Sequence, residues 1–168
     1  MTTPESTDPR QAEADYQALI DSQRTLLLST VTAAGEPEIS YAPYLRDESG
    51  RFYIFVSELA AHTRNLRHQG RAAILFIRPE EETRNPFARE RVILQCQAEE
   101  LPAGDPEQAG LLSRMEQRFG ETVALLRRLP DFHLFVLTPQ TGRYVAGFGK
   151  AYDLVLPAGG LRPVTPPD

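Results

Sequence analysis

The segment Ser57-Glu58-Leu59-Ala60-Ala61-His62-Thr63-Arg64-Asn65-Leu66 gathers the most useful polar chemistry in the chain. A hydroxyl ahead of a helix, then His62, Thr63 and Arg64 within two turns, puts donors and positive charge near a helix N-terminus. Unpaired backbone N–H groups and the helix dipole attract anions there. Arg64 adds a planar fork that matches phosphate or carboxylate. By composition alone, the same residues read as an ordinary solvated helical turn. Other candidates are thinner. Cys96 falls on the apolar side of its strand and reads as a small core residue. His133 alternates with apolar neighbours and reads as packed in a strand, Asp131 as a turn or cap residue after Pro130, and His68 as solvent-facing. Gly147-x-Gly149 lacks the strand-to-helix setting of a dinucleotide loop and reads as a strand bend. Arg127-Arg128 reads as a cation pair at a helix C-terminus. No Cys-x-x-Cys or His-x-x-x-His spacing is present, and no Ser–His–Asp set can be picked out by motif.

The elements around that segment read mainly as strands, short apolar runs bounded by turn signals. Arg24–Thr32, increasingly β-branched, and Glu38–Leu45 flank the turn signal Ala34-Gly35-Glu36-Pro37, and Asp47-Glu48-Ser49-Gly50 leads into Phe52–Val56. Three strands joined by two tight turns make an antiparallel meander. Pro43 cannot donate to a ladder, so the second strand should be an edge or bulged there. A helix from Glu58 to Gln69, with Leu59 and Leu66 on one face, should stop at Gly70. Ala72–Ile77 and the alternating run from Arg91 to Glu99 add two strands. Helical spacing returns between Asp105 and Pro130. Two last strands, Phe132–Leu137 and Arg143–Ala146, flank Thr138-Pro139-Gln140-Thr141-Gly142. A first helix is expected over roughly 9–22, with Asp8 as N-cap. The count predicts a mainly β fold with α (α+β), a six- to seven-stranded antiparallel barrel with peripheral helices. Closure removes strand edges that would otherwise aggregate. Residues 1–8 read as a disordered tail, 9–155 as the barrel domain with a helical insertion around 105–129, and 156–168 as an irregular tail.

Composition limits the classes of function. Hydrophobic residues make up 41% and charged residues 24% of the 168, near the globular average. The formal net charge of -5 argues against nucleic acid as a partner. One cysteine permits no intrachain disulfide and suggests the cytoplasm. The first residues lack the basic and apolar regions of a signal peptide, and no apolar run reaches the ~20 residues that span a bilayer, so no membrane partner is expected.

Seven stretches in order carry a family resemblance: Ser40-Tyr41-Ala42-Pro43-Tyr44, Phe55-Val56-Ser57, His62-Thr63-Arg64-Asn65-Leu66, Phe87-Ala88-Arg89-Glu90-Arg91, Arg118-Phe119-Gly120-Glu121, Asp131-Phe132-His133-Leu134-Phe135 and Gly147-Phe148-Gly149-Lys150-Ala151-Tyr152. Over roughly residues 20–155 the chain resembles the bacterial heme-utilisation proteins of the HugZ/HutZ type. These are a branch of the pyridoxamine 5′-phosphate oxidase-like split barrels that bind FMN. The resemblance implies a homodimer with two cofactor sites at its interface. It places Ser40, Tyr41, Val56, Ser57, His62, Thr63, Arg64 and Arg91 at cofactor-binding positions, with Arg64 and Arg91 on a phosphate. The C-terminal Arg and His pattern of true pyridoxamine-phosphate oxidases is not evident and Trp is absent, so vitamin B6 oxidation is not expected. The heme branch carries an axial histidine in a C-terminal extension, with an aspartate supporting it at the position of Asp131. Residues 151–168 here contain no histidine. The first expectation is therefore an FMN-binding flavoprotein, an oxidoreductase whose chemistry resides in the cofactor with no side chain nominated as acid or base. A heme-binding or heme-degrading protein is the alternative, and a non-catalytic dimer binding a small anion is the third reading.

Overall fold

In the computed structural model, which describes residues 8–164, Asp8 caps the first helix by accepting a hydrogen bond from the Arg10 backbone N–H at 3.0 Å, with Pro9 at the first helical position. This helix, α1 (Pro9–Asp21), turns Ala12, Tyr16, Leu19 and Ile20 into the core. The tail expected over residues 1–8 lies, apart from Asp8, outside the described residues, as do residues 165–168.

The strands are β1 (Thr25–Val31), β2 (Pro37–Arg46), β3 (Phe52–Ser57), β4 (Arg71–Ile77), β5 (Arg91–Leu101), β6 (Phe132–Gly147), β7 (Lys150–Leu154) and β8 (Leu161–Pro163). They pair antiparallel in the order β3-β2-β1-β4-β5-β6-β7-β8, and β3 also pairs with β6. That last pairing closes the first six strands into a barrel and leaves β7 and β8 as an extension. Alternation does the positioning: along β5, Val92, Leu94, Cys96 and Ala98 are buried between more exposed neighbours. Tyr44, Phe52 and Phe76 meet inside the barrel with ring centroids 5.3–5.5 Å apart.

Between β3 and β4 lies α2 (Ala61–Gln69), ended by Gly70 in the left-handed conformation at φ 62°. Between β5 and β6 lie α3 (Pro106–Phe119) and α4 (Glu121–Leu126). Leu111, Leu112, Met115 and Val123 of these helices pack on Leu45, Tyr53, Leu134 and Val136, covering the outer face of β2, β3 and β6. Among the described residues no helix covers the outer face of β1, β4 and β5 in this way, and Leu27 (37%), Ile39 (76%) and Tyr41 (65%) stand open on or beside it.

Two expectations need correction. The two last strands are one 16-residue strand, β6. Pro139 sits in its middle, opposite Cys96 beside a register shift and between the stretches that pair with β3 and with β7. A missing N–H is tolerated at such a gap. The irregular tail from 156 holds β8, which adds to β7 through Leu154↔Leu161. Pro and Gly there hid a short edge strand. Gly142 sits in close packing: a Cβ there would lie 2.6 Å from Leu94 Cδ2, so the Leu94 side chain would have to shift. No helix among the described residues is long and apolar enough to cross a membrane.

Candidate functional site

The barrel is split where β2 changes partner. Residues 37–43 of β2 pair with β1, and only Tyr44, Leu45 and Arg46 pair with β3. On its other edge β3 pairs with β6 along its whole length, from Phe52↔Leu137 to Ser57↔Phe132, so beyond Ile54 only its β2 side is left without a ladder partner. Pro43 marks the handover, so the expected irregularity there is a change of neighbour. β2 and β3 therefore diverge over three to four residues, about 10 Å of strand rise, and α2 crosses the open end.

Three side chains fix α2 in that position. Asn65 Nδ2 donates to Thr30 Oγ1 at 3.0 Å and to Glu38 Oε2 at 2.7 Å. Thr63 Oγ1 donates to the Ser57 carbonyl at 2.6 Å, and Gln69 Nε2 donates to the Thr32 carbonyl at 2.9 Å. A hollow of about 340 Å³ lies between the β1–β2 hairpin and α2, lined in part by Glu38, Ala61, Arg64 and Asn65.

Most of the predicted residues lie on elements that border the split: Ser40 and Tyr41 on β2, Val56 and Ser57 at the end of β3, and His62, Thr63 and Arg64 on the first turn of α2. Their roles differ. Thr63 is fully buried and its hydroxyl is committed to Ser57, so it is a staple, and Val56 packs its side chain in the core. Tyr41 is exposed on the outer face. His62 is half-buried, and desolvation lowers its pKa against an opposing pull from Glu38. Arg64 is exposed and makes no ion pair among the described residues.

Three placements differ from expectation. Ser57 is the last residue of β3, not the start of the helix. Ala60 is the N-cap, and the Ser57 hydroxyl accepts from the Leu59 N–H at 3.2 Å, forming a local turn. Leu59 is 86% exposed and shares no buried face with Leu66. Arg91 lies at the other end of the barrel. Arg71, which follows α2, pairs with Gln97, and Arg91 sits six residues further along β5, about 20 Å by strand rise. One chain does not bring Arg64 and Arg91 together.

The sequence reading missed a network beside the cleft. Ser57 Oγ donates to Asp131 Oδ2 at 3.1 Å, and the Glu58 N–H donates to the Asp131 carbonyl at 2.7 Å. Asp131 is thus a turn residue that also anchors the end of β3. Arg67 donates from Nε and Nη2 to Glu100 at 2.6 and 3.1 Å, and from Nη1 to Glu58 at 2.7 Å. Those bonds hold the Glu100 carboxyl below its ordinary pKa, with His133 Nδ1 a further 2.8 Å neighbour of Glu100 Oε1. Partners 33 residues apart leave no local signal. Asn65 was legible only as part of the His62–Leu66 motif. Elsewhere Cys96 is buried, its thiol pushed up to about 12 by desolvation. Arg127 pairs with Glu116 at 3.0 Å, and Arg118 holds the Gln23 carbonyl at 3.0 Å.

Comparison with known proteins agrees with this geometry. Residues 12–146 match the family model described as pyridoxamine 5′-phosphate oxidase. The chain is 34% identical over 142 residues to the heme oxygenase HutZ of Vibrio cholerae, covering 84% of this chain and 80% of that protein. Among solved structures, HutZ of Vibrio cholerae, described there as a heme storage protein, superposes with a TM-score of 0.72 at 32% identity, over 77% of this chain and 90% of that one. Campylobacter jejuni ChuZ gives 0.81 at 26% identity, over 94% and 64%. A heme binding protein from Mycobacterium smegmatis gives 0.68 at 30% identity, over 88% and 58%. A closed six-stranded barrel split beside α2, with these matches, makes the chain a member of the pyridoxamine 5′-phosphate oxidase-like split-barrel family, in the branch that contains HutZ.

Proposed function

We propose that this chain is a cytoplasmic heme-binding protein that works as a homodimer, holding heme in the cleft between β2 and β3. The observation that carries the reading is Arg64, an exposed guanidinium on the first turn of α2 that makes no ion pair among the described residues and lines the hollow beside the split. A heme is a flat apolar ring with two carboxylate arms, and such a receptor needs a wall and a cation. HutZ and the mycobacterial relative are both described as heme proteins, which supports heme over other flat anions. Bound heme would supply iron chemistry. His62 lies on the first turn of α2, and desolvation favours its neutral imidazole, the form with a free lone pair. Ser57, held by Asp131, fixes the β3 wall.

The dimer reading rests on the uncovered face. Tyr41, Leu27, Leu75 and Ile93 pair in a row across β2, β1, β4 and β5. Tyr41 and Leu27 of this row are exposed in a single chain, and a continuous apolar stripe of this kind suits a second copy. Pairing two such faces is also the arrangement that would let Arg91 of one chain approach the α2 end of the other.

FMN is the second reading, supported by the match of residues 12–146 to the pyridoxamine 5′-phosphate oxidase family model; a flavin needs no iron ligand. Its phosphate would take the place of the carboxylates on Arg64. It carries with it the oxidoreductase activity expected for a flavoprotein.

Hemin titration of the purified chain separates the two. Heme binding predicts a saturable Soret band, weakened at least several-fold in Arg64→Ala. No Soret change with hemin, alongside quenching of FMN fluorescence that riboflavin does not match, would replace the first reading with the second. Silence toward both would leave neither.

A further inference from the structure

His133 lies between two carboxylates from different elements. Its Nδ1 is 2.8 Å from Glu100 Oε1 near the end of β5, and its Nε2 is 3.9 Å from Glu58 Oε2 in the turn before α2. Arg67 of α2 donates to both carboxylates. Asp131, two residues back, is spent on Ser57. From β3 the neighbours are Val56, paired with His133, and Ser57, neither of them charged.

Arg67 holds Glu100 ionised, so Glu100 only accepts hydrogen bonds. A neutral His133 must then carry its proton on Nδ1, leaving a lone pair on Nε2. That Nε2 is buried and has no hydrogen-bond partner, and the nearest carboxylate, Glu58, is an acceptor too. A buried polar atom without a partner is costly. A second proton removes the mismatch by turning Nε2 into a donor aimed at Glu58.

We propose that His133 is a proton-sensing positioning residue: its protonated ring bridges Glu58 and Glu100 and clamps the Ser57–Ala60 turn against β6. The turn joins the β3 wall of the cleft to the first turn of α2, which carries His62 and Arg64. Clamping it orders both sides of the cofactor site. This role rests on the cofactor reading of the cleft above. When the ring gives up its second proton the bridge opens, the turn loosens and the cofactor is held less tightly.

Hydrogen exchange of the Glu58–Ala61 amides in the cofactor-free chain, corrected for intrinsic pH dependence, tests the clamp directly. Protection should be roughly fivefold greater at about pH 5.5 than at about pH 8, the ratio one partly exposed charged hydrogen bond supplies. His133→Gln should abolish that difference. Should His133→Gln fail to fold, Glu58→Ala, at an exposed position and with no acceptor left, must abolish it instead. Equal protection at both pH values in the unaltered chain, or a difference that survives in the folded variant, overturns the proposal. Hemin titrations at the two pH values form the second arm, with the variant correcting for hemin's own pH dependence. Tighter binding at the lower pH, lost in the variant, supports the positioning role, and equal affinities overturn it. Absence of hemin binding at either pH removes the heme reading, while the exchange arm still decides the clamp.

Discussion

Replacing Asn65 by leucine should cost more than its modest place in the motif suggests. Asn65 is only 7% exposed, and its Nδ2 holds Thr30 Oγ1 at 3.0 Å and Glu38 Oε2 at 2.7 Å. A net hydrogen bond to a neutral group contributes about 0.5–1.5 kcal/mol, and one to a charged group about 1.5–3 kcal/mol. Leucine fills a similar volume but leaves both acceptors unmet, so a loss of about 3 kcal/mol is expected. For a chain of this size each kcal/mol moves Tm by about 2–4 °C, giving a fall of about 9 °C. Thermal melts followed by circular dichroism, at one fixed chain concentration because association would shift Tm, measure it. An Asn65→Ala and Glu38→Ala double-mutant cycle isolates the charged bond, with a coupling of about 1–2 kcal/mol expected. A Tm within about 2 °C of the unaltered chain, or a coupling near zero, would refute the view that this side chain fastens α2 to the β1–β2 hairpin.

Other outcomes follow from the same geometry. Leu27→Asp combined with Tyr41→Glu should halve the mass seen by light scattering without altering the circular dichroism spectrum. An unchanged mass, or a monomer before mutation, would rule out the outer face of β1, β4 and β5 as the dimer contact. Cys96, with its thiol pushed up to about 12 by burial, should react with a thiol reagent only as fast as the chain opens, and full reaction within the mixing time would show the site to be accessible. His62 has a folded pKa below its unfolded value, so in that window the unfolded chain binds more protons. Its contribution is therefore present above the unfolded pKa and is lost as pH falls through the window below about 6.5. His62→Gln should flatten that part of the stability profile, and an undiminished slope would point to another group.

The elements were legible because their signals are local. Alternation along β5, the turn residues between β1, β2 and β3, the Gly70 stop and the Asp8 and Asp105 caps each lie within a few residues of what they control. β8 and the continuity of β6 were not legible, because a three-residue edge strand has no periodicity and Pro139 reads as a breaker until its neighbours are known. The motifs around Ser40, Ser57 and His62 pointed to one site through resemblance, and their polarity alone did not distinguish it from a solvated turn.

Sequence by itself determined an antiparallel barrel, the helix after β3 and the cluster of donors at its start, since period and turn chemistry are properties of neighbouring residues. Tertiary structure decided what those donors are for. Only strand register shows β2 leaving β3 at Tyr44 and opening the cleft. Only packing shows that Thr63 is a staple while Arg64 remains unpaired, and that Glu58, Arg67, Glu100 and His133 meet. The physical reason is that such contacts join residues dozens of positions apart, where barrel closure and not chain proximity sets the distance.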